Sequence, residues 1–312
     1  MITKITVSQN INLQEYTYIR GSTNISDPVR VRQYARYGFS LPYFGEARNH
    51  SASNNYSRVY LISFDVNPTY YYDDSGNLNA EDLKTVLNRF TSVVDFHERP
   101  WIIEKIDFSQ RINTGNADTY AKLLNYGYSM NAIGMTKKLD NHLSPSTLIY
   151  NSNGAEMTIS DRNNDTLLMK LSVKKSRLKT ILKSRKVEKL DGCSKDFELA
   201  CWDYYIENIS GQGDYYSLHK AEDKISAHRI SRRVKERYVA LLKCVTHYKG
   251  LEMFLSHIGH TDRAFRDIEL FSSRKNALKD INVLEASGVN PVTISRRSSV
   301  DFLPNIRTLI SV

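Results

Sequence analysis

The sequence predicts an α+β chain in which an antiparallel sheet flanked by helices is followed by a mainly α-helical domain. Three features carry this expectation. Between residues 58 and 173, apolar stretches of strand length alternate with segments of helical period; the pair Asn153-Gly154 separates two of those stretches; and from 197 onward the apolar repeats keep helical spacing.

Ile5 and Val7 alternate in a first strand, whereas 20–55, rich in Tyr, Arg, Ser, Asn and Gly, has no sustained period and predicts no element. A strand over 58–66 is stopped by Asn67-Pro68, and a turn is expected at 73–77. Asn79 is placed to cap a helix whose Leu83, Val86, Leu87 and Phe90 share one face. Pro100 bounds a strand over 101–108, and Asn116 or Asp118 opens a helix through Tyr120, Leu123 and Leu124. Residues 146–150 and 156–159 read as a hairpin about the Asn-Gly turn, 167–173 as a further strand, and Ser176 begins a long basic helix.

The first domain is thus expected over 1–190. Helices over 197–209, 218–228, 234–246, 251–258 and 272–287 make 191–312 a helical, DNA-binding domain with an extended tail, and Ser217 is the expected N-cap of the second of them.

The chain of 312 residues is 41% hydrophobic, enough for two cores. Its 43 Lys and Arg outnumber 34 Asp and Glu, for a formal charge of +9, which favours a polyanionic partner. No basic amphipathic helix carries a membrane-inserting face and no window approaches roughly 18 uninterrupted apolar residues, so the expected partner is nucleic acid and not a membrane. Cys193, Cys201 and Cys244 have neither the number nor the spacing of a disulfide framework or a zinc site, and the N-terminus lacks a signal-peptide core. A cytoplasmic location is expected. Glycine-rich phosphate loops and the G-x-S-x-G elbow are absent, which removes ATPase, dinucleotide and serine-hydrolase readings. His257 and His260, three apart beside Gly259, read as a helix terminus and not as a metal pair.

Two Pro-anchored segments close the chain, Gly288-Val289-Asn290-Pro291-Val292-Thr293-Ile294 and Val300-Asp301-Phe302-Leu303-Pro304-Asn305. Upstream stand Trp101-Ile102-Ile103-Glu104-Lys105-Ile106-Asp107-Phe108, Thr147-Leu148-Ile149-Tyr150, Ile159-Ser160-Asp161-Arg162, and Leu168-Met169-Lys170-Leu171-Ser172 leading into Lys174-Lys175-Ser176-Arg177-Leu178-Lys179. In order and spacing these stretches resemble the rolling-circle replication initiators of small plasmids and phages, relatives of the filamentous-phage gene II/X replication proteins. The resemblance implies an enzyme that nicks one strand of origin DNA by attack of a tyrosine hydroxyl, leaving a 5′-phosphotyrosine and a free 3′-OH. It further implies Mg²⁺ or Mn²⁺ at the scissile phosphate, both single-stranded and double-stranded origin DNA as partners, and a host helicase or polymerase downstream.

On this resemblance Tyr150 is the expected nucleophile, with Tyr215 and Tyr216 as alternatives. Asp107, at a strand end on the side of Lys105, is the first metal candidate; Asp65 and Glu104 are the others, because carboxylates at adjacent strand ends supply the oxygen ligands such ions prefer. Strict alternation sets Glu104 on the opposite side of its strand from Asp107. Lys174, Lys175, Arg177, Lys179, Lys183, Arg185 and Lys186 form an expected phosphate-binding helix, and Arg229, Arg232 and Arg233 precede a helix suited to a helix-turn-helix or winged reader. Lys170 stands where the family has a Glu and Leu168 where it has an Arg, so a ligand is lost here if that Glu binds metal in the relatives. A DNA-binding replication or transcription regulator without catalysis is therefore the alternative expectation.

Overall fold

The computed structural model describes residues 1–22, 28–50, 56–74, 78–91, 101–128, 134–140, 147–161, 165–182, 193–260 and 265–310. Within them the chain is α+β. Eight strands, β1 (Ile2–Ile11), β2 (Tyr43–His50), β3 (Tyr56–Val66), β4 (Ile102–Asn113), β5 (Thr136–Asp140), β6 (Thr147–Ser152), β7 (Ala155–Asp161) and β8 (Thr166–Lys174), form one antiparallel sheet in the order β2-β3-β1-β4-β8-β7-β6-β5. Helices α1 (Leu13–Ser22), α2 (Pro28–Arg36), α3 (Ala80–Thr91), α4 (Ala117–Tyr126) and α5 (Lys175–Leu182) are interleaved with the strands. After them come α6 (Lys195–Ser210), β9 (Tyr215–Tyr216), α7 (Leu218–Ala227), α8 (Arg232–His247), α9 (Leu251–His257), α10 (Arg274–Ala286), β10 (Phe302–Leu303) and α11 (Ile306–Ile310). None of the described helices is long and apolar enough to cross a membrane.

Local chemistry explains most boundaries. Asn79 accepts from the Asp82 N–H at 3.2 Å and so starts α3, whose Leu83 and Leu87 are fully buried. Asn153-Gly154 turns β6 into β7, with Gly154 at φ 131°. Asn12 and Glu15 cap α1, which runs into the start of the stretch that predicted no element, reciprocally: Asn12 Oδ1 accepts from the Glu15 N–H at 2.8 Å and Glu15 Oε2 from the Asn12 N–H at 2.6 Å. Pro28 then opens α2 at the position where its missing N–H costs nothing.

The chain divides into two compact units that interleave in sequence: one comprises 1–110, 153–156 and 170–201, the other 111–152, 157–169 and 202–312. The boundary expected near residue 190 falls outside the described residues, as do the end of the predicted basic helix and most of the turn at 73–77. In the first unit, Ile5, Val7, Phe64, Val66, Ile103, Ile106 and Phe108 are buried, and Phe64 packs its ring against Tyr34, Phe39 and Trp101 at centroid separations of 5.9–6.0 Å.

The core of the second unit gathers Tyr120, Leu124, Tyr205, Tyr215, Leu241 and Phe254, among others. Its tail is fixed by two buried asparagines. Asn290 Nδ2 donates to Ser210 O at 2.6 Å and Gly213 O at 3.2 Å, and its Oδ1 accepts from the Val292 N–H at 3.0 Å. Asn305 Nδ2 donates to Gly213 O at 2.9 Å and Gly211 O at 3.2 Å, while its Oδ1 accepts from Ser210 Oγ and the Arg307 N–H. The extended segments pair alongside, with Phe302 opposite Tyr216 and Leu303 opposite Tyr215. Gly213 lies so close to Val289 and Asn290 that a methyl group there would overlap their backbone.

Removing either amide takes away several buried hydrogen bonds, each worth about 0.5–1.5 kcal/mol net, while the carbonyls keep weaker second donors. Asn305→Ala is therefore expected to lower the denaturant midpoint markedly, and Gly213→Ala to do so by at least as much. A midpoint unchanged by Asn305→Ala in a urea titration would show that these contacts do not hold the tail.

Candidate carboxylate face and nucleic-acid interface

Register brings the expected metal carboxylates together. Thr6 of β1 lies opposite Asp65 of β3 on one side and Lys105 of β4 on the other, and Lys4 lies opposite Asp107. Residues paired across an antiparallel sheet share a face, so Lys4, Thr6, Asp65, Lys105 and Asp107 stand together on the side away from Ile5, Val7, Phe64 and Val66. Glu104 joins them against the alternation expectation. The β1–β4 register shifts between Thr6, opposite Lys105, and Val7, opposite Ile103, so Glu104 is the extra residue of a β-bulge. Its Oε1 accepts from Ser8 Oγ at 2.7 Å, and Ser8 is on the Thr6 face.

Two lysines already offset the charge of the two aspartates on this face. Asp65 accepts from Thr6 Oγ1 at 2.7 Å and from Lys4 Nζ at 3.2 Å. Lys4 Nζ is also 3.6 Å from Asp107 Oδ2, and Lys105 Nζ lies 3.0 Å from Asp107 Oδ1. Burial pulls the Lys4 ammonium down, but the hydrogen bond and charge of Asp65, with those of Asp107, outweigh it and hold its pKa above the ordinary lysine value. The oxygen donors have the chemistry Mg²⁺ or Mn²⁺ requires, yet the position between Asp65 and Asp107 is taken by a tethered ammonium, and among the described residues no three His, Cys, Asp or Glu side chains form a metal-holding group. In this arrangement the residues do not fit a divalent ion.

Tyr150 lies in the core. Its side chain is fully buried on β6, its hydroxyl donates to Leu124 O at 3.3 Å, and burial pushes the phenol far above its ordinary pKa. So enclosed, the oxygen reaches no phosphodiester in this conformation. Tyr215 is likewise fully buried, and Tyr216 is held by Lys224. The phenol that sequence reasoning missed is Tyr43, on β2. It pairs with Ser63, Ser63 pairs with Ser8, and so Tyr43 shares the face of Asp65, Asp107 and Glu104 with 58% of its surface exposed. Only strand pairing reveals it; no local pattern sets it apart from the other tyrosines.

The expected phosphate-binding cations are at the surface where they are described. Lys174 ends β8 and is exposed; on α5, Lys175 and Arg177 are half-buried and Lys179 is exposed, while Leu178 turns inward. Lys183, Arg185 and Lys186 lie outside the described residues. Leu168 is buried and Lys170 exposed on β8. Arg229, Arg232 and Arg233 are all exposed where α7 turns into α8; Arg232 Nε lies 2.8 Å from Glu236 Oε1, whereas Arg229 and Arg233 have no ion-pair partner among the described residues. Ser231 caps α8 through the Val234 N–H, and its first turn carries no acid. His257 ends α9, its Nδ1 2.7 Å from Met253 O and its ring stacked on Tyr248.

No protein-family model and no curated protein matches this chain.

If Lys4 stands in for a metal ion, millimolar Mn²⁺ is expected to leave the thermal midpoint of the wild type unchanged and to raise that of Lys4→Met, in which two carboxylates face one another without it. The partly exposed ion pairs are worth about 1 kcal/mol or less, so Lys4→Met itself loses little stability. Its ammonium, with a raised folded pKa, contributes fully below the unfolded value and is lost only as pH climbs through the folded one, so the small deficit of Lys4→Met is flat across neutral pH and shrinks in strong alkali. Stabilisation of the wild type by Mn²⁺ would contradict the assignment.

Proposed function

We propose that this chain is a DNA-binding replication or regulatory protein of the initiator type, which holds origin DNA and does not cut it through Tyr150. One observation carries the proposal. Arg229, Arg232 and Arg233 are exposed together at the start of α8, the second helix of an α7–turn–α8 pair whose four-residue connection suits a helix-turn-helix. A helix N-terminus with exposed arginines, of which only Arg232 is paired with a carboxylate among the described residues, attracts phosphate through its dipole and through counterion release. The surplus of cations and the resemblance to plasmid and phage initiators support the same reading.

The test is a salt series of duplex binding, using DNA from the protein's own replicon. Binding is expected to weaken steeply with salt, and the triple variant Arg229→Ala/Arg232→Ala/Arg233→Ala should reduce the slope of log K against log salt by about three, near one per lost phosphate contact. Wild-type binding that ignores salt, or a triple variant with an unaltered slope, would refute the role of these arginines.

A second reading keeps the nicking chemistry, because Tyr43 is an exposed phenol on the same face as three carboxylates. In it the Tyr43 oxygen attacks phosphorus, the P–O3′ bond breaks, the phenolic proton passes to a neighbouring carboxylate, and the departing 3′-oxygen takes a proton from water. Incubation with single-stranded replicon DNA, in Mn²⁺ and in EDTA, followed by a denaturing gel separates the two. The binding protein gives no covalent adduct; the nickase gives one that survives Tyr150→Phe and disappears in Tyr43→Phe.

A further inference from the structure

The cations of α8 are not confined to its start. At its other end, roughly 24 Å along the helix, a cleft of about 960 Å³ opens within the second unit. Its walls are α4, the C-terminal turn of α8 with the residues that follow, and the loop after Ile294. They carry Lys122, Lys243, Lys249, Arg296 and Arg297 against a single carboxylate, Asp118. Asp118 is neutralised by Lys122, its neighbour one helical turn on, and Lys243 lies 3.6 Å from Glu222. Lys249, Arg296 and Arg297 are exposed and have no ion-pair partner among the described residues.

Three features fit a polynucleotide strand. The unpaired cations come from two chain segments that face one cleft, so they suit successive phosphates along a backbone. Lys249 is the one non-glycine among the described residues with positive φ, 54°, and it takes the left-handed position beyond the helix end where glycine is the usual occupant. The Phe265 ring, part of the lining, stacks on His247 with centroids 4.2 Å apart and planes 8° from parallel, which makes a flat surface for a base.

We infer that this cleft binds single-stranded nucleic acid, with backbone phosphates on Lys249, Arg296 and Arg297 and a base against the Phe265–His247 pair. The inference rests on the nucleic-acid reading above but concerns a separate site from the arginines at the start of α8.

Fluorescence anisotropy with labelled oligo-dT tests it, with the replicon duplex measured in parallel. The variant Lys249→Gln/Arg296→Gln/Arg297→Gln alters only exposed side chains and is expected to keep the wild-type melting midpoint. It should weaken oligo-dT binding at least tenfold and lower the salt slope by about two, near 0.7 per phosphate, while leaving duplex binding intact. Phe265→Ala should weaken oligo-dT binding without changing that slope. Undiminished oligo-dT binding by the triple glutamine variant, or equal competition by free thymidine monophosphate, overturns the inference. A wild type that binds duplex but not oligo-dT overturns the cleft alone; one that binds neither overturns the nucleic-acid reading with it.

Discussion

The second unit depends on two buried amides. Asn290 and Asn305 satisfy the carbonyls of Ser210, Gly211 and Gly213, where α6 ends and the chain turns toward β9. Such a turn exposes backbone acceptors that the interior cannot leave unpaired. By answering them, the tail becomes part of the core, and Gly213 makes the approach possible because it has no side chain. The anchored segment then runs from Val292 and Ile294, both buried, to the exposed Arg296 and Arg297. Rigid attachment on one side and surface display on the other is what a phosphate-contacting loop requires.

The carboxylate face shows how the same side chains support different chemistry according to their neighbours. Asp65 and Asp107, on the two strands that flank β1, would suit a hard divalent cation if nothing else were present. Lys4 lies on the central strand between them and places an ammonium within 3.6 Å of both. Together with Lys105 it turns the face into a set of ion pairs and hydrogen bonds. Tyr43 stands on that face as an exposed phenol, whereas Tyr150 contributes its ring to the core.

Elements defined by their own sequence were legible. The Asn153-Gly154 hairpin, the Asn79-capped helix and the periodic helices α6 to α10 each carry local signals, and all are found within a residue or a few of their expected limits. The strands that escaped detection, β2 and β5, are the two edges of the sheet, where Arg, Asn and Lys replace the apolar alternation because one flank is unpaired. Glu104 was set on the wrong side because a bulge depends on the register with β1, which no single strand encodes. The burial of Tyr150 was hidden for a related reason: alternation in β6 separates Leu148 and Tyr150 from Thr147 and Ile149, but does not say which pair faces inward. Candidate carboxylates could thus be picked out by residue type, whereas the lysine between them and the accessible phenol beside them needed the strand pairing.

On the proposed reading, DNA lies against the cations at the two ends of α8 and on the adjoining tail loop. Amide hydrogen exchange with and without the replicon DNA tests this most directly. Added protection is expected around 229–235, 243–249 and 295–299, with the carboxylate-bearing strands unchanged near residues 4–8, 63–65 and 104–107. Protection concentrated on those strands, or absent from α8 and the tail loop, would contradict it.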